Sequence, residues 1–380
     1  MSVTQVAIIG GGLGGLTTAL RLAREGVSVT LIEKKAYPFH KVCGEYVSNE
    51  TLPYLRRLGV DPFELGAVPI SQLTVSAKSG RRLDATLPLG GFGISRYRLD
   101  AQLAERCRAA GVQLLTSERV ESVQQSGAGF ELTLQSGTTL TAQWALGSWG
   151  KRELLDQRLS RPFLSQRTGY VGVKYHIATD FAADRIALHN FSGGYCGLSR
   201  IEDGRYCLCY LARRDDLRRA GSVQALEANV VRKNKFLDTV WAESDFLYDK
   251  PEVINEISFA PKEQVVRGVW LVGDAAGLIT PLCGNGMAMA IRGGRLAADL
   301  LLEHGGLKAK TSPSPTERTA LELLYSRRWR QLFGTRLWAG RRLQALMGRS
   351  APTEFAVGLL GASPGLLQRV VRLTHGEPFA

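Results

Sequence analysis

Val6-Ala7-Ile8-Ile9-Gly10-Gly11-Gly12-Leu13-Gly14-Gly15-Leu16 decides the fold. Four apolar residues without a charge read as a buried strand, and Gly10, Gly12 and Gly15 follow in the spacing G-x-G-x-x-G. Leu16, Ala19, Leu20 and Ala23 then recur on one helical face up to Arg24, and Gly26 ends the helix. Val27, Val29, Leu31 and Ile32 give a second strand with Glu33 at its end. A strand, glycine turn, helix and strand in this order bind a dinucleotide. The first glycine permits the tight turn, the second lets backbone approach a pyrophosphate, and the third lets the helix pack close to the strand. The helix N-terminus offers amides and the positive end of its dipole to phosphate, and Glu33 can accept hydrogen bonds from a ribose. The fingerprint alone does not separate FAD from NAD.

A second unit lies near the other end of the chain. Val269-Trp270-Leu271-Val272 is again a buried-strand pattern. Gly273-Asp274-Ala275-Ala276-Gly277 follows, then Pro281-Leu282-Cys283-Gly284-Asn285-Gly286-Met287, then a helix from Ala288 to Glu303. An aspartate at a strand end can bind a ribitol hydroxyl, and the Gly284-Asn285-Gly286 turn opens a helix whose N-terminus can face a flavin ring or phosphate. Together the two units, spanning residues 3 to 303, resemble the p-hydroxybenzoate-hydroxylase-like superfamily of FAD enzymes. The resemblance implies an α/β fold: a Rossmann-like FAD-binding domain of the glutathione-reductase type, an inserted antiparallel β-rich substrate domain and C-terminal helices. It implies one FAD, held by Gly10, Gly12, Leu13, Gly14, Gly15, Glu33 and Lys34 of the first unit and by Gly273, Asp274, Ala275, Pro281, Gly284, Asn285, Gly286 and Met287 of the second. Val120 and Gly147 join this set. NAD(P)H is the candidate electron donor, with an external donor as the alternative.

Length and composition fit this reading. A chain of 380 residues favours two interleaved domains. Residues 1–72, 96–160 and 262–307 are assigned to the FAD-binding domain, 73–95 and 161–261 to the substrate domain, and 308–380 to a linker and helices. No apolar run reaches the roughly 18 residues of a membrane span, and the chain enters a strand at once, so a cytoplasmic location without a signal peptide is expected. The six cysteines form no C-x-x-C pair, which points to reduced thiols and no metal site. The net charge of +13 comes without a nucleic-acid motif, so no nucleic-acid partner is expected.

Between the two units, Ser48 to Leu58 reads as a helix, Leu73 to Leu83 as one strand, and Arg96 to Ala110 as a helix capped by Gly111. Val112–Leu115 is expected to join the parallel sheet. Val120–Val123, Phe130–Leu134 and Thr139–Ala145 form an antiparallel meander with Gly127 and Gly137 at its turns. Tyr170–Ile177, Arg185–Phe191, Tyr195–Ile201 and Arg205–Leu211 read as strands of a second sheet, followed by a helix from Ser222 to Phe236. Lys308 to Glu317 reads as a linker. Beyond it, Thr319 to Leu346 interleaves arginines with Trp329, Phe333 and Trp338, which suits an amphipathic helix packed on its domain or, over residues 320–346, a peripheral membrane contact.

Tyr37-Pro38 to Cys43-Gly44-Glu45 resembles the geranylgeranyl-reductase-like branch of the superfamily, as does Gly293-Gly294-x-x-Ala297-Ala298. That resemblance places Cys43 and Gly44 beside the flavin. It makes Cys43 a candidate proton donor, with Tyr46 a second candidate catalytic group. Arg96 matches the family arginine that contacts FAD, and Lys41 is a further cofactor candidate. Cys283 reads as packing. Tyr175, His176, His189 and Tyr195 are the candidates for the substrate pocket. Two departures stand out. Leu146 in Ala145-Leu146-Gly147 stands where hydroxylases carry an aspartate, and Tyr195-Cys196-Gly197-Leu198-Ser199-Arg200 lacks both tryptophans and the proline of the halogenase motif W-x-W-x-I-P. The expected activity is FAD-dependent turnover of a small lipophilic substrate. Hydroxylation of an aromatic or polyketide-type compound through a flavin hydroperoxide comes first. Reduction of a carbon–carbon double bond in an isoprenoid or polyene is the alternative, and a non-enzymatic flavin-binding sensor the third reading.

Overall fold

The computed structural model describes residues 2–166, 169–307, 313–347 and 349–380. In chain order it runs β1 (Ser2–Ile9), α1 (Leu13–Ala23), β2 (Val29–Glu33), β3 (Tyr46–Ser48), α2 (Leu52–Arg57), β4 (Val68–Ser76), β5 (Arg82–Gly93) and α3 (Arg96–Ala109). Then come β6 (Gln113–Thr116), β7 (Val120–Ser126), β8 (Gly129–Leu134), β9 (Thr139–Gly147), α4 (Leu154–Arg158), β10 (Tyr170–Ala178), β11 (Arg185–Phe191), β12 (Gly194–Arg200) and β13 (Tyr206–Arg213). The rest comprises α5 (Arg214–Ala220), α6 (Val223–Asn229), α7 (Lys235–Glu243), β14 (Asp245–Phe246), β15 (Glu252–Ile257), β16 (Val265–Val266), β17 (Val269–Leu271), α8 (Gly286–His304), α9 (Pro315–Leu346), α10 (Ser350–Ala362) and α11 (Pro364–Thr374).

Two sheets organise these elements. In the first, β17, β9, β1, β2 and β6 lie side by side and parallel, and β7 and β8 complete the antiparallel meander onto β9. Strands buried on both faces read as continuous apolar runs, and Val6, Ala7 and Ile8 are wholly buried. The second sheet runs β14-β10-β13-β12-β11-β4-β5-β3, with β15 on β10. It draws on residues 46–48 and 68–72, upstream of the boundary expected at residue 73. One face of this sheet packs on α5–α7 through Val173, Tyr175, Leu208 and Tyr210 against Leu226 and Leu237. The other face looks toward the first sheet.

Four expectations are revised. Leu73–Leu83 is a hairpin rather than one strand, because Gly80 turns at φ +94 between β4 and β5. Ser48–Leu58 begins with the end of β3 and a 3-10 turn before α2. The helix expected from Ser222 to Phe236 breaks between α6 and α7, where Asn234 is pinned. Its Nδ2 lies 2.9 Å from Asn190 O, 3.0 Å from Ser76 Oγ and 3.2 Å from Ala77 O, while its Oδ1 accepts the Phe236 N–H. Finally, α9 already begins at Pro315, with a Ser314–Glu317 capping box; residues 308–312 of the expected linker lie outside the described residues.

The arginine-rich α9 turns one face into the core and leaves Arg327, Arg328 and Arg330 exposed on the other. Tyr325, Trp329 and Phe333 are buried, Tyr325 donates to Leu271 O at 2.6 Å and stacks on Trp270, and Trp329 fills the space beside Gly277. Among the described residues no helix is long and apolar enough to cross a membrane. Asn234→Ala removes a helix cap and strands buried polar groups in the second sheet, so it should cost about 2–3 kcal/mol in urea unfolding. A loss well under 1 kcal/mol would contradict the pinning role.

Candidate functional site

The N-terminus of α1 is built to receive an anion. Gly12 is its N-cap in extended conformation, no side chain caps it, and its first turn carries no acid. The glycines around it divide into two kinds. A Cβ at Gly10 would lie 2.5 Å from Ser148 O, and one at Gly15 would lie 2.1 Å from Gly10 O. Those positions are closed by packing. A Cβ at Gly12 would meet only Arg96 Nη2 at 3.7 Å and Lys41 Nζ at 3.9 Å, and one at Gly44 would meet nothing within 4 Å. Gly12 and Gly44 therefore face open space, and two cations overlook the first of them. Asp100 organises both: Arg96 donates to it through Nε and Nη2 at 2.7 and 2.8 Å, and Lys41 through Nζ at 3.0 Å. Burial alone would raise the Asp100 carboxyl, but Arg96 and Lys41 hold it below the usual range. Glu33 closes the turn from the strand side, accepting from Gly11 N at 2.8 Å, and Tyr37 donates to Gly11 O at 2.6 Å. The side chain of Lys34 pairs with Glu153, and Val120 is buried in the core at the start of β7.

The second unit stands beside the first, and α8 crosses α1 so closely that a Cβ at Gly294 would lie 2.7 Å from Gly14 O. Gly273 and Gly284 both adopt positive φ, and the N-terminus of α8 has no side-chain cap. A Cβ at Gly286 would meet only Ile279 at 3.7 Å, so this helix end also opens onto free space. Asn285 is different. Its Nδ2 donates to Glu50 at 2.5 Å and its Oδ1 accepts from Arg336 at 3.0 Å, so the side chain is committed to a structural joint and only its backbone remains for a ligand. Cys283 packs 3.4 Å from Thr280 Oγ1, and a Cβ at Gly340 would lie 3.3 Å from its Sγ, which supports the packing reading. Lys262, not anticipated from the sequence, donates to the carbonyls of Lys151 and Asp274, and burial depresses its ammonium to about 8 despite Asp274. Leu146 is wholly buried within β9, beside Ile8 of β1 and Trp270 of β17. The turn that meets the fingerprint is Ser148-Trp149, whose indole donates to Asp156.

Between these units lies the Cys43-Gly44-Glu45 loop, seated on the second sheet. Glu45 is fully buried with φ +54. Its Oε1 accepts from Lys174 Nζ at 2.5 Å and from Arg96 N at 3.0 Å, and its Oε2 lies 2.6 Å from His176 Nε2. Burial opposes ionisation, but Lys174 and His176 outweigh it and bring the carboxyl to about 2. Burial likewise disfavours the Lys174 ammonium, and Glu45 more than compensates. Lys174 also donates to Lys41 O and the Cys207 thiol to Cys43 O, so three contacts clamp the loop. Glu45, His176 and Cys207 place ligand-type atoms within 4.8 Å of one another, yet Lys174 already supplies the cation that the carboxylate faces. His176 Nδ1 is buried without a hydrogen-bond partner, as is the Tyr46 hydroxyl, which burial raises above its ordinary value.

Strand alternation decides which pocket candidates reach this face. Lys174 and His176 point toward the loop; Tyr175, between them, points away and donates to Glu227. His189 also lies on the far face, 2.8 Å from Ser76 Oγ and stacked on Phe236, and burial lowers it to about 4. Neither lines the pocket as expected. Tyr195 does face inward, in an apolar seam with Leu211, Ile257, Leu278 and Leu282, to which Leu343 of α9 and Met347 just after it contribute. Cys43 is half-buried at the loop, and Tyr46 contacts the Gly284 turn.

The sequence reading missed Glu45, Lys174 and Asp100 as site residues. Lys174 carried a signal: it is the one formal charge in the strand pattern Val171 to Ile177.

The family described as FAD binding domain matches residues 3–311. Menaquinone reductase of Mycobacterium tuberculosis is 24% identical over 317 residues, covering 78% of this chain and 76% of that protein. Digeranylgeranylglycerophospholipid reductase 2 of Methanopyrus kandleri is 24% identical over 392 residues, covering 98% and 93%. The structure of a flavin-dependent brominase superposes with a TM-score of 0.80 at 16% identity, covering 100% of this chain and 95% of that one; at that identity the likeness concerns the fold. The open positions at Gly12, Gly44 and Gly286, the two uncapped helix ends and the Arg96–Lys41 pair fit a FAD laid from one unit to the other.

Two predictions follow from this geometry. Gly15→Ala should destabilise the fold by about 1–3 kcal/mol, whereas Gly12→Val should keep the urea midpoint and abolish the visible absorbance of bound FAD. A Gly12→Val protein that purifies yellow would contradict the division between closed and open glycines. The ordinary Glu45 value is 4.5 and the folded value about 2, so its stabilisation is complete above about pH 4.5 and is lost as pH falls toward 2. Lys174→Met takes the buried ammonium from that charge and leaves it only His176 and the Arg96 amide, so it should cost about 3–5 kcal/mol, part of which Glu45→Gln in the same chain restores. A single variant no weaker than the double would refute the pairing.

Proposed function

Because the chain belongs to the FAD-binding-domain family and is an FAD-dependent oxidoreductase, we propose that it reduces a carbon–carbon double bond in a lipophilic isoprenoid or polyene. Bound FAD supplies the hydride; the chain must position the substrate, keep the site dry and deliver one proton to the second carbon. The observation that carries this reading is the buried Glu45–Lys174–His176 cluster, which fixes the Cys43-Gly44 loop with Cys43 against the core of the first sheet and Gly44 facing open space. A fixed thiol can give a proton to carbon, and the neighbouring Tyr46 hydroxyl, buried without a hydrogen-bond partner, is a second candidate donor. Leu278, Leu282 and Tyr195 hold an apolar chain and exclude water. Two relatives that align over most of their length are named for reductions of menaquinone and of a digeranylgeranyl phospholipid, which supports the same chemistry.

Hydroxylation of an aromatic compound is the second reading. It is favoured by Tyr170, Tyr195 and Phe259, whose rings border the same seam and suit a flat substrate. NAD(P)H is the proposed donor under either reading.

Dithionite-reduced protein, mixed without oxygen with a prenyl lipid, should reoxidise and yield a product two hydrogens heavier. Cys43→Ala should load FAD normally and lower kcat about 100-fold, as expected for loss of a general acid. Unchanged turnover in Cys43→Ala would remove the thiol from the mechanism. Reoxidation by oxygen alone, with hydroxylation of a phenol, would replace reduction by the second reading.

A further inference from the structure

The end of α9 covers the apolar seam, α10 and α11 cover the adjoining cluster around Tyr46, and the outward faces of these helices are apolar as well. Inward, Leu343 and Met347 enter the seam, and Val357, Leu360 and Leu367 pack in the cluster that contains Tyr46. Outward, Trp338, Leu346, Phe355, Leu359, Leu366 and Leu373 are exposed, Phe355 to 71%. Phe355-Ala356-Val357-Gly358-Leu359-Leu360-Gly361-Ala362 carries no polar side chain, so α10 is apolar right round there. Such a helix asks for an apolar neighbour on both sides, and the protein provides one on the inner side only.

Charge identifies what meets the other side. Residues 313–380 hold ten arginines against four glutamates, with no lysine or aspartate. Arg318 and Arg336 are buried, while Arg342, Arg349, Arg369 and Arg372 are exposed beside the apolar residues, and Arg342 lies over the Trp338 ring at 5.6 Å. At the edge of α10, an open groove is lined by Phe355 and Leu359 together with Arg81, Arg82 and Asp84 of the β4–β5 hairpin, Asp84 pairing with Arg82 at 3.1 Å. Apolar side chains fringed by cations match a lipid surface with anionic headgroups, where apolar groups enter the acyl boundary and arginines meet phosphates.

We infer that the outer face of α9–α11 docks on an anionic bilayer, and that the same helices pass a lipophilic substrate from that bilayer into the seam beneath them. The contact centres on α10, α11 and the last turns of α9. Of the stretch 320–346 that the sequence suggested, Tyr325, Trp329 and Phe333 face the core, while Trp338, Arg342 and Leu346 lie on the outer face. The second half of this inference rests on the reading of the seam as the substrate site; the first half is read without turnover, so the two fail separately.

The FAD-loaded 380-residue chain is floated with phosphatidylcholine vesicles and with phosphatidylcholine–phosphatidylglycerol vesicles. Binding should be at least roughly tenfold stronger to the anionic vesicles and should weaken with salt. Phe355→Glu with Leu359→Glu should reduce that binding by roughly tenfold or more while leaving FAD content and reduction by dithionite unchanged. Brominated lipid should quench tryptophan fluorescence, and Trp338→Phe should remove most of the quenching. No flotation with anionic vesicles, or flotation unaffected by the double substitution, overturns the inference. So does a dimer that the double substitution dissociates, because a second copy would then cover this face. If vesicles bind but soluble short-chain substrate turns over no more slowly than vesicle-borne lipid, docking stands and substrate transfer falls.

Discussion

One buried carboxylate holds the working parts of this protein in register. Glu45 has no exposure to water, and its charge is costly unless every oxygen is served. Lys174 and His176 serve it from the second sheet, and the backbone of Arg96 serves it from the start of α3. The arrangement ties three separate stretches of chain to one point. It fixes the Cys43-Gly44 loop on the sheet and starts α3 where the Arg96 side chain reaches Asp100 beside Lys41. The pair of cations at the α1 N-terminus thus depends on a carboxylate in the next layer.

A second buried carboxylate plays a parallel part at the other end of the cofactor groove. Glu50 accepts from Asn285 Nδ2, from Arg336 on α9 and from the Gly376 amide. It joins the turn before α8 to the last residues of the chain, where Phe379 packs on Tyr54. The C-terminal helices therefore belong to the architecture of the site. α9 supplies Trp329 against Gly277 and Leu343 to the seam, and its arginines divide between buried joints and an outer fringe.

The parts of the sequence that dictate backbone geometry were the most legible. Gly10, Gly12 and Gly15 each have one steric role, so spacing alone placed β1, α1 and β2, and the alternation of Phe130 to Leu134 placed the meander. Parity in strands was legible but unused: Tyr175 and His176 are neighbours on β10, so they cannot line one pocket. Which face looks inward depends on the partner layer, and a single strand does not encode that. Ser79-Gly80 marked the β4–β5 turn, yet the apolar alternation on both sides read through it. Asn285 looked like a ligand because its turn opens a helix; its committed partners, Glu50 and Arg336, lie 235 and 51 residues away. Glu45 and Lys174 are 129 residues apart and meet only once the two sheets face each other.

In the proposed reduction the clamped loop protonates carbon while FAD supplies the hydride. The most direct test is isotopic. Turnover of a prenyl lipid in deuterium oxide under labelled oxygen gas is followed by mass spectrometry of the product. The account predicts a product with at least one solvent-derived deuterium on carbon and no labelled oxygen. Labelled oxygen in the product, with no new carbon–deuterium bond, would contradict it.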